Sequence, residues 1–166
     1  MNKLLSVPDL FSAAAQYYVL FPAHFFKVAY TLEKIIGVEK LRGWLEYNPR
    51  ICLIDVGCGA GAASAAFINS LLNLQDEEAL NHPLDVYCVG IDINPHAIVL
   101  YDQFLRRLKG KVKESGINLE CNLIPHGDLR AIGRLKDFLN VQREKWQQPY
   151  IHQVLVMGVP PKSCTT

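Results

Sequence analysis

The stretch ICLIDVGCGAGAAS, Ile51 to Ser64, constrains this chain more than any other. A short apolar run ends on one carboxylate, Asp55, and after Val56 three glycines, Gly57, Gly59 and Gly61, alternate with small residues before an alanine-rich segment. An apolar run of this length bounded by glycine reads as a buried strand, and the alanine-rich segment reads as a helix. A strand that runs through a glycine turn into a helix opens a βαβ unit, so a parallel sheet is expected. Glycine there permits a close backbone approach that a side chain would block.

The rest of the chain keeps that rhythm. Further strands are expected over Asp85 to Ile91, Asn118 to Ile124 and Ile151 to Met157. Helices are expected over Ala60 to Leu74, Pro95 to about Lys113 and Leu129 to about Lys145, with Asn94 as N-cap and Pro95 in the first helical position. Gln75 to Pro83 reads as a loop. Such alternation implies an α/β, Rossmann-like three-layer fold with a mostly parallel sheet and helices on both faces. Residues 1–49 differ, being helical in pattern with no strand. A helix is expected from Pro8-Asp9 until Pro22 breaks it, a second from about Ala23 to Ile36 closed by Gly37, and a third from Glu39 to about Tyr47, ended by Asn48-Pro49. The chain thus divides into a helical extension, 1–49, and a core, 50–166.

Composition excludes several classes. A net charge of +1 leaves no overall field for nucleic acid or an anionic membrane. The basic cluster Arg106, Arg107, Lys109, Lys111 and Lys113 reads as a solvated helix face. Five cysteines form no CxxC pair, and Cys52, Cys88 and Cys121 fall within expected strands as small buried hydrophobes, so the reading is a reduced, cytoplasmic chain with no metal. Pro8 and Asp9 interrupt any secretory signal, and Gln16, Pro22, His24 and Lys27 interrupt Leu10 to Leu32, so no membrane span is expected.

The ligand question turns on Asp55. A dinucleotide site places a pyrophosphate against the glycine turn and the helix N-terminus, which a carboxylate beside the turn would repel. A cationic ligand would be attracted instead. S-adenosylmethionine carries an ammonium and a sulfonium and no phosphate.

LIDVGCGAG resembles the first motif of class I S-adenosylmethionine-dependent methyltransferases, an acidic residue at the end of the first strand followed by a GxGxG turn. The resemblance implies S-adenosylmethionine as cofactor, with Asp55 helping to hold its methionine end, directly or through water, and Gly57, Gly59 and Gly61 lining its path. It further implies that Asp92, in GIDINP, binds the ribose hydroxyls, with Ile93 against the adenine face. Asp128, in IPHGDL, would accept from the adenine amino group, with Leu129 beside it. His126 in the same loop reads as facing solvent.

The resemblance covers about Arg50 to Pro161, the cofactor-binding half of the family's fold. In VLVMGVPPK, Val159 stands where some members carry a polar residue and Lys162 where they carry an aromatic, which disfavours amino-group methylation by that arrangement. The family continues with further strands, so the core is expected to be truncated after its fourth strand, whose apolar edge would invite self-association or a partner. The aromatics Tyr17, Tyr18, Phe21, Phe25, Phe26 and Tyr30 read first as helix packing and second as a substrate lid. The expected function is methyl transfer to an acceptor (small molecule, protein or RNA) that no motif specifies, with no nameable catalytic residue. A non-catalytic cofactor-binding or assembly module is the alternative, and an NAD-dependent oxidoreductase the third reading.

Overall fold

The computed structural model describes residues 10–77, 80–125 and 154–158, together with helical positions at Asp137, Asn140, Val141 and Glu144. The chain begins with helix α1, Leu10–Tyr30, which passes into a π-helical segment, Thr31–Gly37, and then into α2, Val38–Tyr47. Gly37, at φ 89°, separates the last two. Asn48 closes α2 by donating its side-chain amide to the Trp44 carbonyl at 2.8 Å.

Pro22 does not break the first helix as expected from sequence; α1 runs through it. Proline removes one backbone donor and crowds the preceding turn. Pro22 lies on the exposed side, and the Phe21 and Phe25 rings stack on each other at 6.5 Å. Phe21 also meets Phe104 edge-on at 5.9 Å, which anchors this turn to the core. Tertiary packing therefore outweighs the local cost.

Beyond Pro49 come β1, Arg50–Val56; α3, Ala62–Asp76; β2, Leu84–Asp92; α4, Pro95–Glu114; β3, Ile117–Pro125; and β4, Val154–Gly158. The sheet order is β3-β2-β1-β4, and every pairing is parallel. The Rossmann-like α/β architecture expected from the sequence is what forms. Asn94 caps α4, its side chain accepting from the His96 amide at 3.0 Å, with Pro95 following.

The register separates the two faces of the sheet. Ile51, Leu53, Val86, Cys88, Ile117 and Leu119 join the cluster that also holds Phe67, Leu71, Tyr101, Leu105 and, from the N-terminal segment, Leu32, Leu41 and Leu45. Cys52, Ile54, Tyr87, Val89, Ile91 and Ile124 form a second cluster on the other face. Crossovers β1–α3–β2 and β2–α4–β3 run one way across the sheet, and the connection to β4 returns to the far side of β1. Strand order reverses there, which makes the gap between β1 and β4 the topological switch point.

Cysteine burial holds only in part. Cys52 and Cys88 are buried, but Cys121 is exposed. It lies on β3, the edge strand beyond β2, beside the exposed basic end of α4, so the edge leaves it uncovered. Arg107, Lys109, Lys111 and Lys113 are exposed, and Arg106 pairs with Asp102 at 2.7 Å, as a solvated face requires. Among the described residues no helix is long and apolar enough to cross a membrane. Val159 and Lys162 lie outside the described residues, as do the side chains of β4.

Candidate functional site

At the carboxyl end of β1 the backbone turns sharply. The Gly57 and Cys58 amides both donate to the Ile91 carbonyl, at 2.8 and 3.1 Å, which ties the turn to the end of β2. Gly61 then opens α3 at φ 86°, its carbonyl accepting from the Ala65 amide at 2.8 Å. A Cβ at Gly61 would stand 2.2 Å from the Tyr101 ring, and one at Gly90 would stand 2.5 Å from the same ring. Two glycines on different elements thus make the slot that Tyr101 fills. The Tyr101 hydroxyl is buried beside Ser64 but outside hydrogen-bonding geometry.

Asp55 is 3% exposed and accepts from Ser64 Oγ at 2.7 Å. Burial raises its carboxyl from 3.8 to about 6; the Ser64 hydroxyl and amide pull it back down, and the neighbouring Asp92 charge raises it further. Ser64 sits in the first turn of α3, whose N-cap residue is a glycine with no side chain to offer. The carboxylate at the end of β1 therefore serves as the cap that α3 lacks, and a negative group at a helix N-terminus is favoured by the dipole.

Asp92 occupies the corresponding end of β2 and is half-buried. Its Oδ2 accepts from the Gly59 amide at 2.7 Å and its Oδ1 from the Asn94 amide at 2.8 Å. This one carboxylate braces the glycine turn and the start of α4. Each oxygen retains acceptor capacity for a further donor.

A cleft of about 210 Å³ opens above the turn. Gly57, Gly59 and Asp92 line one side of it, and Tyr17, Phe21 and His24 of α1 line the other. From the sequence His24 reads only as an interruption of an apolar helix, because an isolated histidine there has no distinguishing neighbour. Only the helical spacing Tyr17, Phe21, His24 would have placed it on one face with the aromatics. The Cys58 thiol is buried, and that burial together with Asp55 and Asp92 pushes its pKa far upward, so it is no thiolate nucleophile near neutral pH. Among the described residues no group of His, Cys, Asp or Glu is gathered to hold a metal ion.

The structure therefore brings Gly57, Gly59 and Asp92 together at one cleft and sets Asp55 and Gly61 behind it, against Ser64 and Tyr101. Asp55 is not among the cleft-lining residues. Ile93 is 66% exposed at the rim of β2. His126, Asp128 and Leu129 lie outside the described residues.

No family model matches the chain, and no curated protein matches it. Among solved structures, one from Methanococcus maripaludis, provisionally described as an S-adenosyl-L-methionine-dependent methyltransferase, is similar over 95% of this chain and 67% of its own length. Its identity is 15% and its TM-score 0.40. A likeness this distant does not bear on chemistry, and the fold stands on the parallel register of the four strands.

Proposed function

We propose that the cleft at the carboxyl ends of β1 and β2 binds S-adenosylmethionine and that the chain is a methyltransferase or its cofactor-binding part. The observation that carries the reading is Asp92, a carboxylate lining a cleft next to Gly57 and Gly59 with acceptor capacity to spare. That donor set fits the group. The cleft offers a carboxylate to ribose hydroxyls, and the open space above Gly59, where a Cβ would meet nothing within 4 Å, leaves room for a ligand against the backbone. A carboxylate at the place of Asp92 also holds the ribose in dinucleotide sites, so Asp55, behind the turn where a pyrophosphate would lie, is what weighs against a dinucleotide. Asp92 would hold the ribose, and Asp55, through the turn, would favour the cationic methionine end.

When bound, the cofactor supplies an activated methyl on sulfonium. The chain's own contribution is alignment: Tyr17 and Phe21 exclude water over the turn, and Asp92 fixes the nucleoside so that an acceptor approaches in line. His24 lines the same cleft beside Tyr17 and Phe21.

A second reading also has support. Both Asp92 oxygens already accept backbone amides, and Asp55 already caps α3, so the carboxylates have structural work without any ligand. In that reading the domain is a non-catalytic module.

Calorimetry separates the two. S-adenosylmethionine and its demethylated product are expected to bind more tightly than NAD, and their affinity should rise from pH 5 to pH 7 as Asp55 ionises, while that of adenosine should not. Asp92→Asn should weaken both by roughly 1.5 to 3 kcal/mol, the range of hydrogen bonds to a charged group. NAD binding equal to or tighter than S-adenosylmethionine rejects the cofactor assignment. Binding of neither ligand supports the structural reading.

A further inference from the structure

Four cysteines lie among the described residues, all as free thiols, and the strand register singles out two of them. Cys88 of β2 and Cys121 of β3 stand directly opposite each other in the parallel pairing. Neighbouring strands run about 4.8 Å apart, inside the roughly 4.4 to 6.8 Å between Cα atoms that a disulfide spans. We infer that this pair is a site of reversible oxidation, at which a peroxide joins Cys121 to Cys88 as a disulfide.

Both side chains take the same face of the sheet. Side chains alternate along a strand, and Ile117 and Leu119 of β3 share one cluster with Val86 and Cys88 of β2, so Cys121 follows them to that face. Cys52 belongs to the cluster on the other face, and Cys58 lies in the turn beyond the carboxyl end of β1. Cys121 is also the charged neighbour that weighs most on Cys88. Register, face and electrostatics thus select the same partner.

Exposure sets the order of events. Cys88 is fully buried, whereas Cys121 is exposed beside Asp102, Arg106 and Lys109 of α4 and Glu120 of its own strand. An oxidant therefore reaches Cys121 first. Its thiolate sulfur attacks one oxygen of hydrogen peroxide, the O–O bond breaks, and hydroxide leaves, so that sulfur is oxidised to a sulfenic acid and peroxide oxygen is reduced. The Cys88 sulfur then attacks the Cys121 sulfur, the S–O bond breaks, and the departing hydroxide takes the Cys88 proton. Two thiols and one peroxide become one disulfide and two waters. Burial and Asp102 raise the Cys121 thiol above its usual range, while Lys109 and Arg106 hold it down. Its thiolate is a minor form near neutral pH, so the reaction quickens as pH rises. The bond would tie β3 to β2, the strand that ends in Asp92 at the cleft.

The test is treatment of the full folded chain with hydrogen peroxide, then alkylation of the remaining thiols and peptide mapping without reduction. The chain should lose the mass of two hydrogens, the Cys88 peptide should appear joined to the Cys121 peptide, and dithiothreitol should reverse both. The initial rate should rise about 10-fold per pH unit below the Cys121 pKa, as the thiolate fraction does. Cys121→Ser, at an exposed position, should abolish the link, and Cys88→Ala should leave at Cys121 a sulfenic acid that dimedone traps. The map of the parent chain stands whether or not the Cys88 variant folds. Cys121 joined to Cys52, Cys58, Cys164 or a second chain, a sulfenic acid that persists at Cys121 in the parent, or a Cys121 left unmodified overturns the inference.

Discussion

Helices α1 and α3 are both dominated by apolar residues, yet they meet opposite fates. In α3 the residues Ala62, Ala65, Ala66, Phe67, Ile68, Leu71 and Leu74 are all buried. In α1, Tyr18 is 77% and Phe26 68% exposed, and Val19 and Tyr30 are exposed with them. The difference lies in position. α3 is the crossover between β1 and β2, pressed on the sheet with α1 over it, and its alanines allow that close fit. α1 precedes the sheet and packs on α3 and α4, so only its side with Phe21 and Val28 gains a partner. Apolar content makes burial possible; the path of the chain across the sheet decides which side chains receive it.

That contrast can be broken most directly with matched truncations. Phe67, 1% exposed in α3, should cost about 3 to 5 kcal/mol on replacement by alanine, whereas Phe26→Ala in α1 should change stability by no more than about 0.5 kcal/mol. Urea unfolding midpoints would measure both. Comparable losses from the two would mean that α1 is as fully committed to the core as α3.

A somewhat smaller effect is expected where α3 begins. Gly61→Ala combines a positive φ with a Cβ driven into the Tyr101 ring, and should destabilise by about 2 to 4 kcal/mol. Gly43, inside α2, has nothing within 4 Å of its Cβ position, so Gly43→Ala should stabilise by about 0.5 to 1 kcal/mol. The opposite signs are the readout in thermal unfolding, and a tolerated alanine at Gly61 would show that Tyr101 yields easily.

Asp55 sharpens the comparison by pH. Its folded-state pKa is raised, from 3.8 to about 6, so the native state favours the protonated carboxyl. The stability it contributes is present below about pH 4 and is lost as pH rises through about 6. Asp55→Asn removes this titration, so the stability of the variant relative to the parent should grow across that window by about 2 to 3 kcal/mol and then level off. A difference that stays flat between pH 4 and pH 7 would mean that the carboxylate is solvated rather than buried. Saturating S-adenosylmethionine should reduce the difference at neutral pH if its cationic end offsets the buried charge.

Much of the fold was legible because local rules and global architecture agree from Arg50 onward. Apolar runs ending at glycine or at Asn94-Pro95 mark strands and helix starts with little competition, and the observed bounds of β1, β2, β3 and α4 differ from the expected ones by at most one residue at each end. The reading failed where a local rule met a stronger tertiary one. Pro22 stops an isolated helix, but Phe21, packed on Phe25 and on Phe104 of the core, anchors α1 through it. Cys121 has the neighbours of a buried strand residue, and only its place on the edge strand exposes it.

The candidate site divides in the same way. From sequence alone come the glycine turn, the carboxylates at the ends of β1 and β2, and their approach to each other, because parallel strands of similar length bring their carboxyl ends to one side of the sheet. The tertiary structure decides what each carboxylate does there. Asp55 and Asp92 have the same chemistry and follow similar apolar runs, yet Asp55 points toward the face on which α3 packs and finds Ser64, while Asp92 turns to the Gly59 amide at the cleft. Alternation along a strand fixes which face a side chain takes, but the helix N-terminus or open cleft that it meets there is set by elements distant in sequence, and so is the charge state that the surroundings impose.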